Sequence, residues 1–250
     1  MKIRVLAFLM ALLALLTLCF VSCDKEEEEN KEDDNTLKGP TNTIVDPSSI
    51  MYDSGLIPAA GTDLKWEIYK DGTMYIKGTG AMPPDLVTSA EGGANSQPWA
   101  AYIDGGFIYI KKIVVEETVT GISQMAFKNC LFLEEVYIKS GIDTIPYQCF
   151  AGCRSLTKVV AKTVTVVEDA AFDGCTRLEK VTLSASLSEV CDGAFTDACK
   201  NNTASGALAL SLAGTEEEWN TAKQTLVVGL PDSSNKVFAD AMANPTFVGK

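Results

Sequence analysis

Ala126-Phe127-Lys128-Asn129-Cys130 is the first of four copies of one short phrase along this chain. Every copy has phenylalanine in its second place, and three of the four end on cysteine, whereas the fourth has Ala198 there. The phenylalanines lie 23, 22 and 23 residues apart, at Phe127, Phe150, Phe172 and Phe195. A fixed period in this range is typical of a solenoid, in which each unit buries its apolar face by stacking on its neighbours.

The residues between the phenylalanines predict short strands. Leu133-Glu134-Glu135-Val136-Tyr137-Ile138 alternates between apolar and polar residues, as a strand with one buried face does. Aligning the phenylalanines brings matching apolar residues into columns, among them Ile113, Val136, Val159 and Val181. We therefore expect about four coils of 22–23 residues whose parallel strands stack at about 4.8 Å per coil.

The segments on either side of the repeats predict further regular structure. Upstream, Leu64, Trp66 and Ile68 alternate on one face, and Asp71-Gly72 is a hairpin turn signal. Downstream, Thr215 precedes three glutamates and predicts the N-cap of a helix. The polar residues 201–206 predict that the sheet weakens into a cap there, and the pattern leaves residues 226–250 unassigned.

Composition argues against nucleic-acid binding and weakens the case for catalysis. The net charge is −12, whereas a protein that binds nucleic acid needs basic side chains to neutralise the backbone phosphates. Histidine is absent, which removes the usual general base and the commonest ligand of catalytic zinc. The remaining catalytic candidates are adjacent carboxylate pairs, which are better explained as solvated surface charge: Glu116-Glu117, Glu134-Glu135 and Glu168-Asp169. We expect no catalytic residues, no metal and no cofactor.

The N-terminus predicts export and lipid attachment. Lys2 and Arg4 precede an apolar run from Val5, as in a secretory signal. Ser22-Cys23 resembles a bacterial lipoprotein processing site, with Cys23 as the acylated residue; Cys19 is the weaker candidate because Leu18 precedes it. The alternative is an uncleaved anchor over residues 5–21, which would be at the short limit for a membrane span.

An acidic run follows Cys23. Residues 24–34 carry eight Asp and Glu side chains against two lysines and are expected to stay extended and solvated. The run serves as a tether, and it resembles the surface-export signal of lipoproteins in one large phylum of Gram-negative anaerobes. That resemblance implies an outer-membrane, lipid-anchored and surface-exposed protein.

Leu-x-x-Val-x-Ile is a variant of the leucine-rich repeat pattern, and with the Ala-Phe-x-x-Cys phrase it resembles the BspA-type subclass. Residues 64–82, with Pro98-Trp99, look like the segment that precedes the repeats in that family, and residues 214–219 look like its closing segment. The expected fold is an α/β solenoid with a β-hairpin cap and a small C-terminal α/β cap. Its parts are a signal peptide (1–22), an acylated cysteine with acidic tether (23–49), an N-terminal cap (50–107), repeats (108–199) and a C-terminal cap (200–250).

The repeats assign structural and binding roles to separate columns. The structural core is expected to contain the phenylalanines and the cysteines of the repeated phrase, Phe127, Cys130, Phe150, Cys153, Phe172, Cys175 and Phe195. We expect these thiols to be buried and free rather than paired in a disulfide ladder, because the core needs a small, weakly polar group there. The candidate binding face comprises the outward strand residues Lys112, Val114, Glu116, Glu135, Tyr137, Lys139, Lys158, Val160, Lys162, Lys180, Thr182 and Ser184.

Two functions follow from this interpretation. Proteins that resemble this chain are associated with adhesion, which implies a non-catalytic module that binds host-matrix or cell-surface proteins. The alternative is an accessory glycan-binding lipoprotein of a surface nutrient-uptake system. In both, the membrane is contacted only through the lipid anchor.

Overall fold

A computed structural model describes residues 46, 50–84, 86, 97–103, 108–139, 141–201, 207–229 and 235–249. Within these residues the chain forms strands, two short α-helices and one 3-10 helix at Ala100–Tyr102. The helices are α1 (Glu216–Ala222) and α2 (Lys236–Ala241). The strands are β1 (Met51–Leu56), β2 (Lys65–Tyr69), β3 (Thr73–Lys77), β4 (Gly80–Ala81), β5 (Lys112–Val115), β6 (Val119–Gly121), β7 (Glu135–Ile138), β8 (Thr144–Ile145), β9 (Lys158–Ala161), β10 (Val166–Val167), β11 (Lys180–Ser184), β12 (Glu189–Val190), β13 (Ala209–Ala213), β14 (Val227–Val228) and β15 (Thr246–Val248).

The main sheet runs through all the coils in the order β1-β2-β3-β5-β7-β9-β11-β13-β15. β1, β2 and β3 are antiparallel, and from β3 onward every neighbouring pair is parallel. Equivalent repeat positions pair directly, so Val136 lies between Ile113 and Val159. The predicted solenoid with parallel strands is therefore confirmed.

The coils from β7 onward return through a second, smaller sheet, whereas β6 of the first coil pairs with β4 in a separate two-stranded sheet. The order β14-β12-β10-β8 is parallel, with two residues paired in each strand. Before the next main strand, i to i+3 hydrogen bonds close two turns in each of the four repeats, for example from the Ala126 N–H to Ser123 O and from the Cys130 N–H to Phe127 O. Single turns rather than long helices are thus sufficient to close a coil.

The repeated phenylalanines form one continuous stack through the interior. Their ring centroids are 5.6, 5.6 and 5.1 Å apart from Phe127 to Phe195, and the ring planes are nearly parallel. Trp99 continues the stack at one end and Phe238 at the other, at 5.5 and 4.8 Å. All six side chains are fully buried, so each ring gains contacts on both sides that a single coil could not supply.

The cysteine column lies beside this stack and is buried as well. The Cys153 thiol donates to Phe127 O at 3.1 Å, and the Cys175 thiol donates to Phe150 O at 3.2 Å. Each thiol therefore supplies a weak donor to a carbonyl of the preceding coil, a contact that alanine could not make. No disulfide joins any of the six cysteines among the described residues.

The main sheet does not weaken after the fourth coil, so that expectation is wrong. All five residues of β13 pair with β11, and β15 then pairs with β13. The residues that the repeat pattern left unassigned supply β14, α2 and β15, and α2 carries Phe238 to the end of the ring stack. The physical reason is that Leu210 and Leu212 are buried at alternate positions of β13, as apolar residues are in the earlier strands, although the repeated turn sequence does not follow them.

The flanking elements follow their sequence signals. β2 and β3 form the hairpin that Asp71-Gly72 predicts, with Trp66 opposite Ile76. At α1 the Thr215 hydroxyl accepts from the Glu218 N–H while the Glu218 carboxylate accepts from the Thr215 N–H, a reciprocal capping box. In the described part of the chain, neither helix is long and apolar enough to cross a membrane.

Candidate binding surface

The outward side chains of six neighbouring strands form one surface, which we call the strand face. Successive side chains of a strand point to opposite sides, and one side of each strand lies in the core. The register of the sheet then aligns the other side chains into two rows across β3, β5, β7, β9 and β11, and both rows continue onto β2. A third row consists of Lys77, Ser184 and the residues directly after β5, β7 and β9, which are Glu116, Lys139 and Lys162. The strand face comprises the twelve residues expected from the repeats together with Lys65, Glu67, Tyr69, Thr73, Tyr75 and Lys77.

The middle of these three rows, the central row, is apolar over four strands. It consists of Tyr75, Val114, Tyr137 and Val160, which are paired in that order. Val114 is 6% exposed, although it faces outward and is not part of the core cluster, because the two larger tyrosines flank it. Thr182 and Ser184, two further members of the candidate binding face, are also buried. These three residues therefore offer a ligand little exposed surface.

Tyr137 lies at the centre of a cluster of charged side chains. The Lys112 and Lys158 amines lie 4.9 and 5.1 Å from the centroid of its ring, within the range of cation–π attraction. Its hydroxyl donates to Glu135 at 2.9 Å and accepts from Lys158 at 2.9 Å. The hydrogen bond to Tyr137 raises the pKa of Lys158, so the Lys158 amine is charged at neutral pH.

The hairpin carries a second cluster, which the repeat pattern did not identify. Glu67 binds Lys77 at 2.6 Å, Lys65 at 3.0 Å and the Tyr69 hydroxyl at 3.1 Å. The Lys77 hydrogen bond, opposed by burial and aided by Lys65, lowers the pKa of Glu67 to about 2. The Lys77 amine also lies 4.8 Å from the Tyr75 centroid. The alternation of side chains along β2 and β3 could have predicted that the hairpin extends the strand face, because the residues on the side away from Trp66 belong to that face.

The remaining lysines of the face differ in what they contact. Lys139 binds Glu116 at 2.8 Å, and that hydrogen bond raises its pKa. Lys162 donates to Gly249 O at 2.8 Å. Among the residues that the structure describes, neither Lys112 nor Lys180 has a carboxylate within 4 Å. The face therefore combines neutralised lysines with lysines that are available to a ligand.

Other candidate sites show less chemistry. Over the described ranges, no three His, Cys, Asp or Glu side chains lie together as metal ligands would. Burial raises the pKa of Cys149 and Cys175 well above the ordinary thiol value, so both are held as thiols in the core. Glu117 and Glu134 are exposed members of the adjacent carboxylate pairs. Cys23, the expected lipidation site, lies outside the described residues.

A parallel sheet of in-register coils, each with one short strand of the Leu-x-x-Val-x-Ile type, defines the class of leucine-rich repeat solenoids. Residues 105–205 match the family described as BspA type leucine-rich repeat region, in six copies. This part of the chain therefore belongs to the BspA-type repeats. No curated protein matches the sequence.

Two solved structures are similar to part of this chain. One is described as a leucine-rich cell surface protein from Faecalibacterium prausnitzii A2-165, with 22% identity, a TM-score of 0.40, and coverage of 63% of this chain and 40% of that one. The other is described as a leucine-rich repeat protein from Eubacterium ventriosum ATCC 27560, with 19% identity, a TM-score of 0.44, and coverage of 65% and 47%. This chain spans less than half the length of either.

Proposed function

We propose that this chain is a lipid-anchored cell-surface protein that binds other proteins through the strand face and catalyses no reaction. The observation that carries the proposal is the in-register surface of six strands, on which Tyr137 lies between Lys112 and Lys158. Tyrosine and cationic side chains at the centre of a flat, rigid surface suit protein recognition, because little conformational entropy is lost on binding.

Location supports the same proposal through the N-terminal sequence. Ser22-Cys23 with its acidic run predicts acylation at Cys23 and display on the outer membrane. Two or three acyl chains would make the attachment stable. Protease added to intact cells should remove the folded part of the chain, while a periplasmic location would leave it intact.

Binding is tested with the full chain against immobilised matrix proteins and, in parallel, a glycan array. We expect Tyr137→Ala to weaken capture of a matrix protein at least about ten-fold, as expected for a central hot-spot residue. Tyr147→Ala is the matched control, since Tyr147 is a 36% exposed tyrosine outside the strand face. If Tyr137→Ala and Lys158→Ala leave every identified partner unaffected, the strand face is not the site. Enrichment on glycans alone would favour the glycan-binding alternative.

A further inference from the structure

The strand face has an apolar middle and charged flanks. Tyr75, Val114, Tyr137 and Val160 form the central row, which crosses four strands and so spans about 14 Å at ~4.8 Å per strand. Tyr75, Tyr137 and Val160 remain partly accessible to solvent. A ligand that covers this row must bring apolar groups, since polar groups placed there would lose water without gaining a partner.

The charge of the strand face is opposite to that of the whole chain. The face carries seven lysines and three glutamates, whereas the chain has 33 acidic and 21 basic residues. The lysines are Lys65, Lys77, Lys112, Lys139, Lys158, Lys162 and Lys180, and the glutamates are Glu67, Glu116 and Glu135. A basic surface attracts acidic ligands, while the basic strand faces of two copies of this chain repel each other when they meet face to face.

On one flank of the face, no carboxylate of the described residues lies closer than 3.9 Å to Lys112, Lys158 or Lys180, and the Lys158 amine also donates to the Tyr137 hydroxyl. Lys158 and Lys180 are directly paired across β9 and β11, and Lys112 lies in the same row two strands from Lys158. Glu135 lies between Lys112 and Lys158, and its carboxylate is 3.9 Å from the Lys158 amine, at the outer limit of an ion pair. On the opposite flank Lys77 and Lys139 are already bound to glutamates.

We propose that the strand face binds a polypeptide segment that combines acidic with apolar residues. Its apolar side chains lie on the central row, and its carboxylates bind Lys112, Lys158 and Lys180. A sulfated glycan would supply the negative charge but would leave the central row without an apolar partner. This ligand class rests on the proposed function and adds a chemical requirement to it.

The test measures fluorescence polarisation of labelled twelve-residue peptides with the full chain. The probe is four Glu-Leu-Glu triplets, and the two comparison peptides replace glutamate by glutamine or leucine by serine. We expect the probe to bind at least about ten-fold more tightly than either comparison peptide. Its affinity should fall as salt rises from 50 to 500 mM, because ions screen the lysines.

Two matched triple variants assign the binding to the strand face. The first variant combines Lys112→Gln, Lys158→Gln and Lys180→Gln, and it should bind the probe at least about ten-fold more weakly than the native chain does. The second, Lys200→Gln with Lys223→Gln and Lys236→Gln, makes the same charge change at exposed lysines outside the face and should bind as the native chain does. Equal affinity for the three peptides, or unchanged binding by the first variant, overturns the proposal.

Heparin separates the ligand class from the proposed function. Direct binding of labelled heparin, together with a failure of the peptide probe to bind, indicates a sulfated-glycan ligand and overturns the polypeptide inference. If a matrix protein loses binding to Tyr137→Ala yet binds the first triple variant normally, the strand face is still the site and only the acidic requirement fails. The two proposals can thus fail separately.

Discussion

At the scale of single residues, the repeated cysteine has a structural role. Cys153 and Cys175 each lie in a coil interior with space for a small side chain, next to a phenylalanine carbonyl of the preceding coil. A thiol fits that space and donates weakly to the carbonyl, which reduces the cost of burying it. The sequence alone located this column, because period and residue type agree.

Glu67 is the residue whose ionisation should influence stability most directly. Its pKa is about 2 in the folded chain because Lys77 and Lys65 bind the carboxylate, whereas an unfolded glutamate titrates near 4.5. A lowered folded pKa stabilises the fold above the unfolded pKa, and this stabilisation is lost as pH falls from about 4.5 to 2. We therefore expect Glu67→Gln to lower the free energy of unfolding at pH 7 by at most about 2 kcal/mol, since water screens the lysines.

Urea unfolding at several pH values measures this effect. The difference between the native chain and Glu67→Gln should shrink as pH falls from 4.5 and should disappear only below pH 2, where the folded carboxylate is also protonated. Glu134→Gln, at an exposed glutamate next to the face, should give a small difference at every pH. A Glu67→Gln difference that stays constant from pH 7 to pH 2 would contradict the assigned pKa.

Val114 shows that strand alternation predicts the side of the sheet on which a side chain lies but does not predict how exposed that side chain is. Strand alternation correctly assigns it to the outer side of the sheet, but exposure depends on the neighbouring coils. Tyr75 and Tyr137, paired on either side of it, cover it with larger side chains. Accessibility of a small residue on a sheet is set by partners that are 23 or more positions away in the sequence.

At the scale of structural elements, backbone hydrogen bonds link each coil to the next at the phenylalanine turn. The Phe127 N–H donates to Cys149 O, the Phe150 N–H to Ala171 O and the Phe172 N–H to Ala194 O, at 3.0, 2.9 and 2.7 Å. After the fourth coil, the side-chain oxygen of Asn235 accepts from the Phe195 N–H at 3.1 Å. An asparagine side chain thus replaces the carbonyl that a further regular coil would have provided.

Asn235→Ala should therefore destabilise the chain strongly. The Asn235 amide also donates to Cys191 O and Gly229 O, and the side chain is fully buried, so alanine would remove three hydrogen bonds to backbone groups; of these groups, Cys191 O keeps a bond from the Ala194 N–H. We expect a loss of about 2–4 kcal/mol in the free energy of unfolding, measured by urea denaturation.

Asn220→Ala is the matched control for this prediction. Asn220 is exposed on α1, where alanine has the higher helix propensity, so the change should stay within about 0.5 kcal/mol. If Asn235→Ala lowered the free energy of unfolding as little as this control, the asparagine would not be replacing the missing carbonyl.

The elements that flank the repeats differ in how well the sequence predicted them. The start of α1 at Thr215 was predictable because a capping box is local, with its two partners three residues apart in the sequence. Phe238 gave no such signal, since the segment around it lacks the Ala-Phe-x-x-Cys spacing and joins the ring stack from a helix. The hairpin was predictable as an element, but its share of the strand face required the register between β3 and β5.

At the scale of the whole molecule, the coils share one interior that solvent does not enter. The cysteines Cys130, Cys149, Cys153, Cys175 and Cys199 are buried, and Cys191 is partly buried. Burial, aided by Glu189, raises the pKa of Cys191 to about 11, and burial with Glu179 raises that of Cys199 to about 12. A thiol in this state reacts slowly, because the thiolate is the reactive form.

We expect these six thiols to resist Ellman's reagent at pH 8 in the folded chain and to react together once urea unfolds it. Incubation with dithiothreitol should leave the free energy of unfolding unchanged. A disulfide between neighbouring coils would instead give a loss of about 2–4 kcal/mol on reduction and fewer thiols in the unfolded chain. Either result would contradict the free-thiol interior.

The regular pairing of the strands also governs how such a surface changes in evolution. Since each coil contacts only its neighbours, duplication of 23 codons in frame adds one strand and widens the surface by about 4.8 Å without rebuilding the rest. Deletion of one unit narrows it by the same step. Ligand preference in this architecture can thus diversify by unequal recombination between copies, and not only by point substitution.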